Sequence, residues 1–305
     1  MPEPDLITLW SADARTRHID PKTIYAYGWS LKQLENFFRG RKVSLSSAKE
    51  EDIVAYIEEC RQRGLTTRTI RGRMAALSSL YEYMIYWKMK KGNPIQDIRK
   101  RYLKPYKTDS EEHTHKLISI DDMARLINSE MDIRNKAMLI VLAKTGVRRG
   151  ELLSMEVQDI NWQNQSIILK PKKKRSNRTV FFDDEAAYIL RRWLEIREQR
   201  KPTDPSLWIS TWGKRIDKGS IVHVIEKAAL QCGLHDPASP KMEDHFSAHC
   251  GRHWFTTHLL RAGMRREYVA WLRGDTIKEA VDIYFHIDPA DVRRSYLAHV
   301  PQLGI

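Results

Sequence analysis

Apolar residues recur at helical spacing over most of the first hundred positions. After Asp20-Pro21, an N-cap followed by proline at the first helical position, Ile24, Tyr27, Leu31, Leu34, Phe37 and Phe38 keep a helical period until Gly40. A second helix is predicted from about Ala48 to Gln62, with Ile53, Tyr56, Ile57 and Cys60 on one face and Gly64 at its end. Thr66 and Thr67 open a third. It turns Ile70, Met74, Leu77, Leu80, Tyr81 and Met84 inward and ends before Gly92-Asn93-Pro94. Its first turns carry Arg68, Arg71 and Arg73 away from that stripe.

The pattern then breaks. From about Ile98 to His115 the run RKRYLKPYK is basic and aperiodic, and TDSEEHTHK is polar throughout, which reads as a linker. Helical patterning resumes with Ser119 capping IDDMARLI. A segment from about Asp132 to Lys144 is apolar nearly all round, as expected of a buried core helix. SIILK and RTVFF read as two short strands around the basic turn PKKKRSN. Helices are predicted at about Asp184 to Gln199, Lys218 to Cys232, from near His249, and at Arg266 to Arg273, with a short apolar SLWIS among them. These boundaries divide the chain into a helical domain over 1–98, a basic linker over 99–115 and a second domain over 116–305.

Length agrees with two domains: 305 residues at roughly 150 per domain. Mean hydropathy is -0.55 and no stretch approaches the ~20 apolar residues of a membrane span. The opening MPEPDLITLW lacks a signal-peptide layout, and Cys60, Cys232 and Cys250 fit no disulfide framework, so a reducing cytoplasm is the expected compartment, with nucleoid association when bound. Charge changes the picture more. Lys plus Arg number 52 against 39 for Asp plus Glu, a net +13, with a pI near 9.6. That balance marks a candidate polyanion binder, nucleic acid first. Arg68, Arg71 and Arg73 then read either as a solvated helix face or as a phosphate-facing surface, and the charge favours the second.

Three segments carry candidate chemistry, each with an ordinary alternative. In TGVRRGELL, Arg148 follows a buried helix and a glycine, where a cation also suits the helix C-terminus. PKKKRSNR also suits a solvated hairpin tip. In AHCGRHWFTTHLLRAG, His249 and Arg252 lie three apart on one helix face. His245, His249 and His253 are spaced four apart, as metal ligands can be, but HxxxH is common and no carboxylate is placed as in HExxH.

Taken together and in this order, the segments resemble the tyrosine recombinase (phage integrase) family. TGVRRGELL is similar to its TGxRxxEL box, with Arg148 as the first catalytic arginine and Glu151 as the acidic residue one turn later. PKKKRSNR matches PKTxxSxR and points to Lys172 as the catalytic lysine, with Lys173 as the nearest competitor. HCGR matches HxxR, and LRGDTIKEAVDIYFHID resembles LGHxxxxxTxxYxH, which places the nucleophile at Tyr284. Tyr268 and Tyr296 lack the nine-residue spacing from Asp275.

The resemblance implies a mainly α fold. An all-helical, SAM-like core-binding domain would precede an α+β catalytic domain with a small antiparallel sheet. It also implies cleavage and rejoining of double-stranded DNA at a specific site by a homo-tetramer, through a 3′-phosphotyrosyl link and a Holliday junction, without a cofactor. Arg148, Lys172, His249, Arg252 and Tyr284 would be catalytic, with Arg68, Arg71, Arg73, Lys173 and Lys174 on the DNA. One departure stands out: Asp275 holds the place of the usual His or Trp. An ionised carboxylate only accepts, so Asp275 is expected to orient Arg148, Arg252 or His249, with His286 a candidate donor in its stead. The LRGD segment is similar to archaeal members. A type IB topoisomerase and a non-catalytic DNA-binding regulator are the rivals. The tail DVRRSYLAHVPQLGI packs either on its own domain or on a neighbouring protomer.

Overall fold

The computed structural model describes residues 5–103, 116–171, 177–239, 241–275 and 287–305. Two compact units result, Met1–Glu112 and His113–Ile305.

Among the described residues five helices build the first: α1 Leu6–Thr16, α2 Pro21–Gly40, α3 Glu50–Gln62, α4 Thr67–Tyr86 and α5 Ile95–Tyr102. Their starts follow local capping. Asp20 accepts the Lys22 N–H at 2.8 Å ahead of Pro21, and Thr66 accepts from the Thr69 N–H at 3.3 Å. Trp10, Leu31, Phe38, Ile53, Tyr56, Met74, Leu77 and Tyr81 fill the core. Helix α1 was not anticipated; its only capping signal is Asp5, which accepts from the Ile7 N–H. Helix α5 corrects the expected linker. Ile95, Ile98 and Leu103 are buried, so residues 99–102 continue a helix, with Arg99, Lys100 and Arg101 in its last turn, where cations suit the C-terminal dipole.

The second unit comprises α6 Ile120–Asn128, α7 Ile133–Thr145, α8 Arg149–Leu153, strands β1 Ile160–Asn161, β2 Ser166–Ile168 and β3 Thr179–Phe181, then α9 Asp184–Gln199, α10 Lys218–Gln231, α11 Ala248–Arg261, α12 Arg266–Arg273 and α13 Pro289–His299. The sheet is antiparallel in the order β1-β2-β3, with Ile167 facing both Ile160 and Val180. Two of its strands were legible; β1 is two residues long and too short to show a period. Helix α7 lies at the centre, buried on nearly every face and packed against α9 and α11.

Lys144 sits in that buried run and is fully enclosed. Its ammonium donates to Asp183 Oδ2 at 2.6 Å, to Pro301 O at 2.6 Å and to Glu185 Oε2. Burial pushes the Glu185 carboxyl up, but bonds from Lys144 and from the backbone N–H groups of Leu303 and Ile305 outweigh it and leave the pKa lowered. Tyr296 of α13 donates to Lys144 O at 2.8 Å, and Val292 and Tyr296 are buried. The tail therefore packs on its own unit in this structure. Among the described residues no helix is long and apolar enough to cross a membrane.

Candidate active site

The end of α7 sets the site. Gly146 adopts φ 58°, and a Cβ there would meet the Phe255 ring at 2.3 Å, so only glycine lets α7 run this close to α11. The chain then turns into Arg148, the N-cap of α8. Glu151, one turn on, accepts the Arg148 backbone N–H at 2.8 Å and its Nη1 at 3.1 Å. Glu151 is buried while the Arg148 side chain is 41% exposed, so a fixed carboxylate aims a guanidinium outward.

Arg252 reaches the same place from the first turns of α11, and only 5% of it is exposed. Its Nη1 donates to Gly146 O at 2.8 Å, and its Nη2 donates to Arg273 O at 2.8 Å. Burial, then repulsion from Arg148 and Arg273, lowers its pKa to about 10; Asp275 and Glu151 act the other way. It stays cationic at neutral pH. Arg148, Arg149, His249 and Arg252 line one open cleft of about 430 Å³, together with Val222, Ile225 and Glu226 of α10. His249 is exposed at the start of α11, on the same helix as Arg252.

Asp275 follows the glycine that caps α12. Its Oδ1 lies 3.4 Å from Arg252 Nη2 and 3.8 Å from Arg148 Nη2, and its Oδ2 lies 2.9 Å from Arg273 Nε. Two of the three cations expected beside it are therefore there, joined by Arg273, which sequence reasoning missed. The signal was present in LRGD: a cation at the helix end, two positions before a carboxylate. The β2–β3 hairpin approaches from the side. Asn177 Nδ2 donates to Trp271 O at 2.5 Å, and Phe181 stacks on the Trp271 ring at 6.1 Å. Lys172, Lys173, Lys174, Tyr284 and His286 lie outside the described residues.

In the first unit Arg68 is exposed. Arg71 is half-buried and donates to Leu103 O at 3.2 Å, joining α4 to the end of α5. Arg73 does not face outward. It is 5% exposed, donates to the Tyr56 hydroxyl at 2.8 Å and lies over the Trp29 ring at 5.4 Å. Its position one turn before Leu77 in the apolar stripe turns it inward, where aromatic faces and a hydroxyl receive the guanidinium. Of the histidines spaced four apart, His245 has its Nε2 bonded to Ser239 O at 2.7 Å.

The phage integrase family pattern matches residues 110–291, and the N-terminal SAM-like domain of phage integrases matches residues 9–88. Tyrosine recombinase XerC of Escherichia coli (strain K12 / DH10B) is 25% identical over 293 residues, covering 94% of this chain and 92% of that one. The likeness to archaeal members expected from LRGD is not borne out by such relatives, which come from Escherichia coli. Two solved structures share the fold. The Tn1549 transposon integrase in complex with circular intermediate DNA superposes with a TM-score of 0.67 at 18% identity, over 95% of this chain and 98% of that one. A lambda integrase tetramer bound to a Holliday junction gives 0.69 at 15% identity, over 91% and 75%. With its arginine cleft, its small antiparallel sheet and a sequence match over most of its length, the chain belongs to the phage integrase family.

Proposed function

We propose that this protein is a site-specific DNA recombinase that cuts and rejoins duplex DNA through a 3′-phosphotyrosyl intermediate. The observation that carries the reading is the convergence of Arg148 and Arg252 on one cleft beside His249. Two guanidiniums held by Glu151 and by the Gly146 and Arg273 carbonyls form a preorganised clamp for the non-bridging oxygens of a phosphodiester. Charge on those oxygens grows towards the transition state, so fixed donors lower the barrier by roughly a few kcal/mol each.

In the proposed reaction Tyr284 Oη forms the bond to phosphorus while the bond to the 5′-oxygen breaks. His249 takes the phenol proton, and Lys172 supplies the proton that the leaving oxygen needs. The ester conserves the bond energy, so the freed 5′-hydroxyl of a partner duplex can reverse the step without a cofactor. Two such exchanges pass through a Holliday junction, and four protomers are required; the lambda integrase of like fold is a tetramer on such a junction. Arg68, Lys173 and Lys174 would add phosphate contacts. The first unit, 1–98 with α5 completed, would bind DNA, and 116–305 would carry the chemistry. The relaxing enzyme and the regulator are less well supported, because the chain matches recombinase relatives over both units.

The test is adduct trapping. Wild-type protein incubated with labelled, nicked duplexes carrying candidate sites should retain label after denaturation, and Tyr284→Phe should bind the same duplex without retaining it. An adduct that persists in Tyr284→Phe refutes the assignment. Relaxation of supercoiled plasmid lacking any site would favour the topoisomerase.

A further inference from the structure

Asp275 places a negative charge where the reaction must hold another. One oxygen of its carboxylate lies between the outer nitrogens of the two cleft arginines, at 3.4 Å from Arg252 Nη2 and 3.8 Å from Arg148 Nη2. The other oxygen is 2.9 Å from Arg273 Nε. A carboxylate and a phosphate present similar pairs of anionic oxygens to guanidinium donors. The 3.4 Å contact from Arg252 Nη2 has hydrogen-bond geometry, whereas the 2.9 Å approach of Arg273 Nε is an ion pair without it, so Asp275 accepts from a cleft arginine and is paired by charge with Arg273.

The site also needs an anion. Arg148, Arg252 and Arg273 crowd together, and repulsion from the first and third adds to burial in lowering the pKa of the second. Glu151 is buried and committed to Arg148. Asp275 is 38% exposed and within reach of all three arginines.

We propose that Asp275 is a resident stand-in for the scissile phosphate. In DNA-free protein its Oδ1 keeps Arg148 and Arg252 converged. An arriving phosphate takes over those two guanidiniums, and the carboxylate remains with Arg273. Asp275 is thus a positioning residue that competes with the ligand it prepares for, which a simple brace would not do. The inference rests on the reading of Arg148 and Arg252 as phosphate ligands.

Inorganic phosphate is the probe, titrated into the full chain by calorimetry at constant ionic strength, with thermal unfolding followed in parallel. Asp275→Asn keeps the shape and removes the charge. It should lower the melting temperature without phosphate, through unrelieved repulsion, and bind phosphate roughly tenfold more tightly than wild type. Adding Arg148→Ala should abolish that gain. Phosphate binding by Asp275→Asn that is equal to or weaker than wild type, with Arg148→Ala still weakening it, overturns the stand-in and leaves the clamp intact. A gain that survives Arg148→Ala arises elsewhere and counts against the clamp as well. If Asp275→Asn is unfolded without ligand, folding driven by added phosphate supports the proposal, and failure to fold at any phosphate concentration overturns it.

Discussion

Lys144→Met tests how the site is supported from behind. The wild-type ammonium is fully buried and shared by Asp183, Glu185 and the Pro301 carbonyl. Methionine keeps most of the volume and removes the charge, so two carboxylates remain enclosed without their cation. Breaking a buried pair in this way costs about 3–5 kcal/mol. For a domain of this size each kcal/mol moves the melting temperature by about 2–4 °C, so a fall of roughly 10 °C is expected at pH 7. The pH dependence carries the mechanism. In the wild type the Glu185 pKa is lowered, so its contribution is present above the unfolded value and is lost as pH falls through the folded one. Without Lys144, burial still pushes the Glu185 carboxyl up and only backbone N–H groups, those of Leu303 and Ile305 among them, hold it down, so the part of the lowering that Lys144 supplies is lost. That lost stabilisation is felt at neutral pH and disappears once acid protonates the carboxyl in both proteins. The gap between variant and wild type should hold at neutral pH and narrow as pH falls through the usual carboxylate range in urea or thermal unfolding, and Lys144→Met/Glu185→Gln should recover part of the loss. A deficit under about 1 kcal/mol at pH 7, or one that acid does not shrink, would refute the argument.

Other outcomes follow from single contacts. Gly146→Ala drives a Cβ into the Phe255 ring and strains a left-handed backbone, at a cost of about 2–5 kcal/mol, whereas Gly233→Ala has a similar φ in open space and should lose only the backbone part, as chemical unfolding will show. Arg73→Met should destabilise the first unit by about 1–3 kcal/mol by stranding the Tyr56 hydroxyl, and leave duplex affinity of the folded protein unchanged. Arg68→Ala should do the reverse, lowering affinity in a binding titration without moving the melting temperature. Binding to any duplex should weaken linearly in log affinity against log salt, and a flat dependence would contradict phosphate-dominated contact.

What the sequence disclosed and what it hid divide along physical lines. Local signals were sufficient for α2, α4, α6, α9 and α10, because each begins at an Asp, Ser or Thr whose side chain accepts from the first turn and continues with an apolar stripe. Strand β1 was hidden because two residues carry no period, and α5 because a helix whose last turn is Arg-Lys-Arg reads as solvated linker until Ile98 and Leu103 are seen to be buried. Arg73 shows the limit of reading by charge: its place one turn before Leu77 turns it in, and the Trp29 and Tyr56 rings receive the guanidinium there.

Motif spacing brought out Arg148, His249 and Arg252, but it could not reveal what fixes them. Glu151 acts across one turn, whereas Gly146, Arg273 and Asp275 meet Arg252 across 106, 21 and 23 residues of chain. Those partners are the difference between two arginines in a sequence and two guanidiniums converging on one cleft. The residue that departs most from the family pattern, Asp275, is also the one whose carboxylate lies between them. A motif comparison reads that position as a missing donor. The distances show a carboxylate already among Arg148, Arg252 and Arg273.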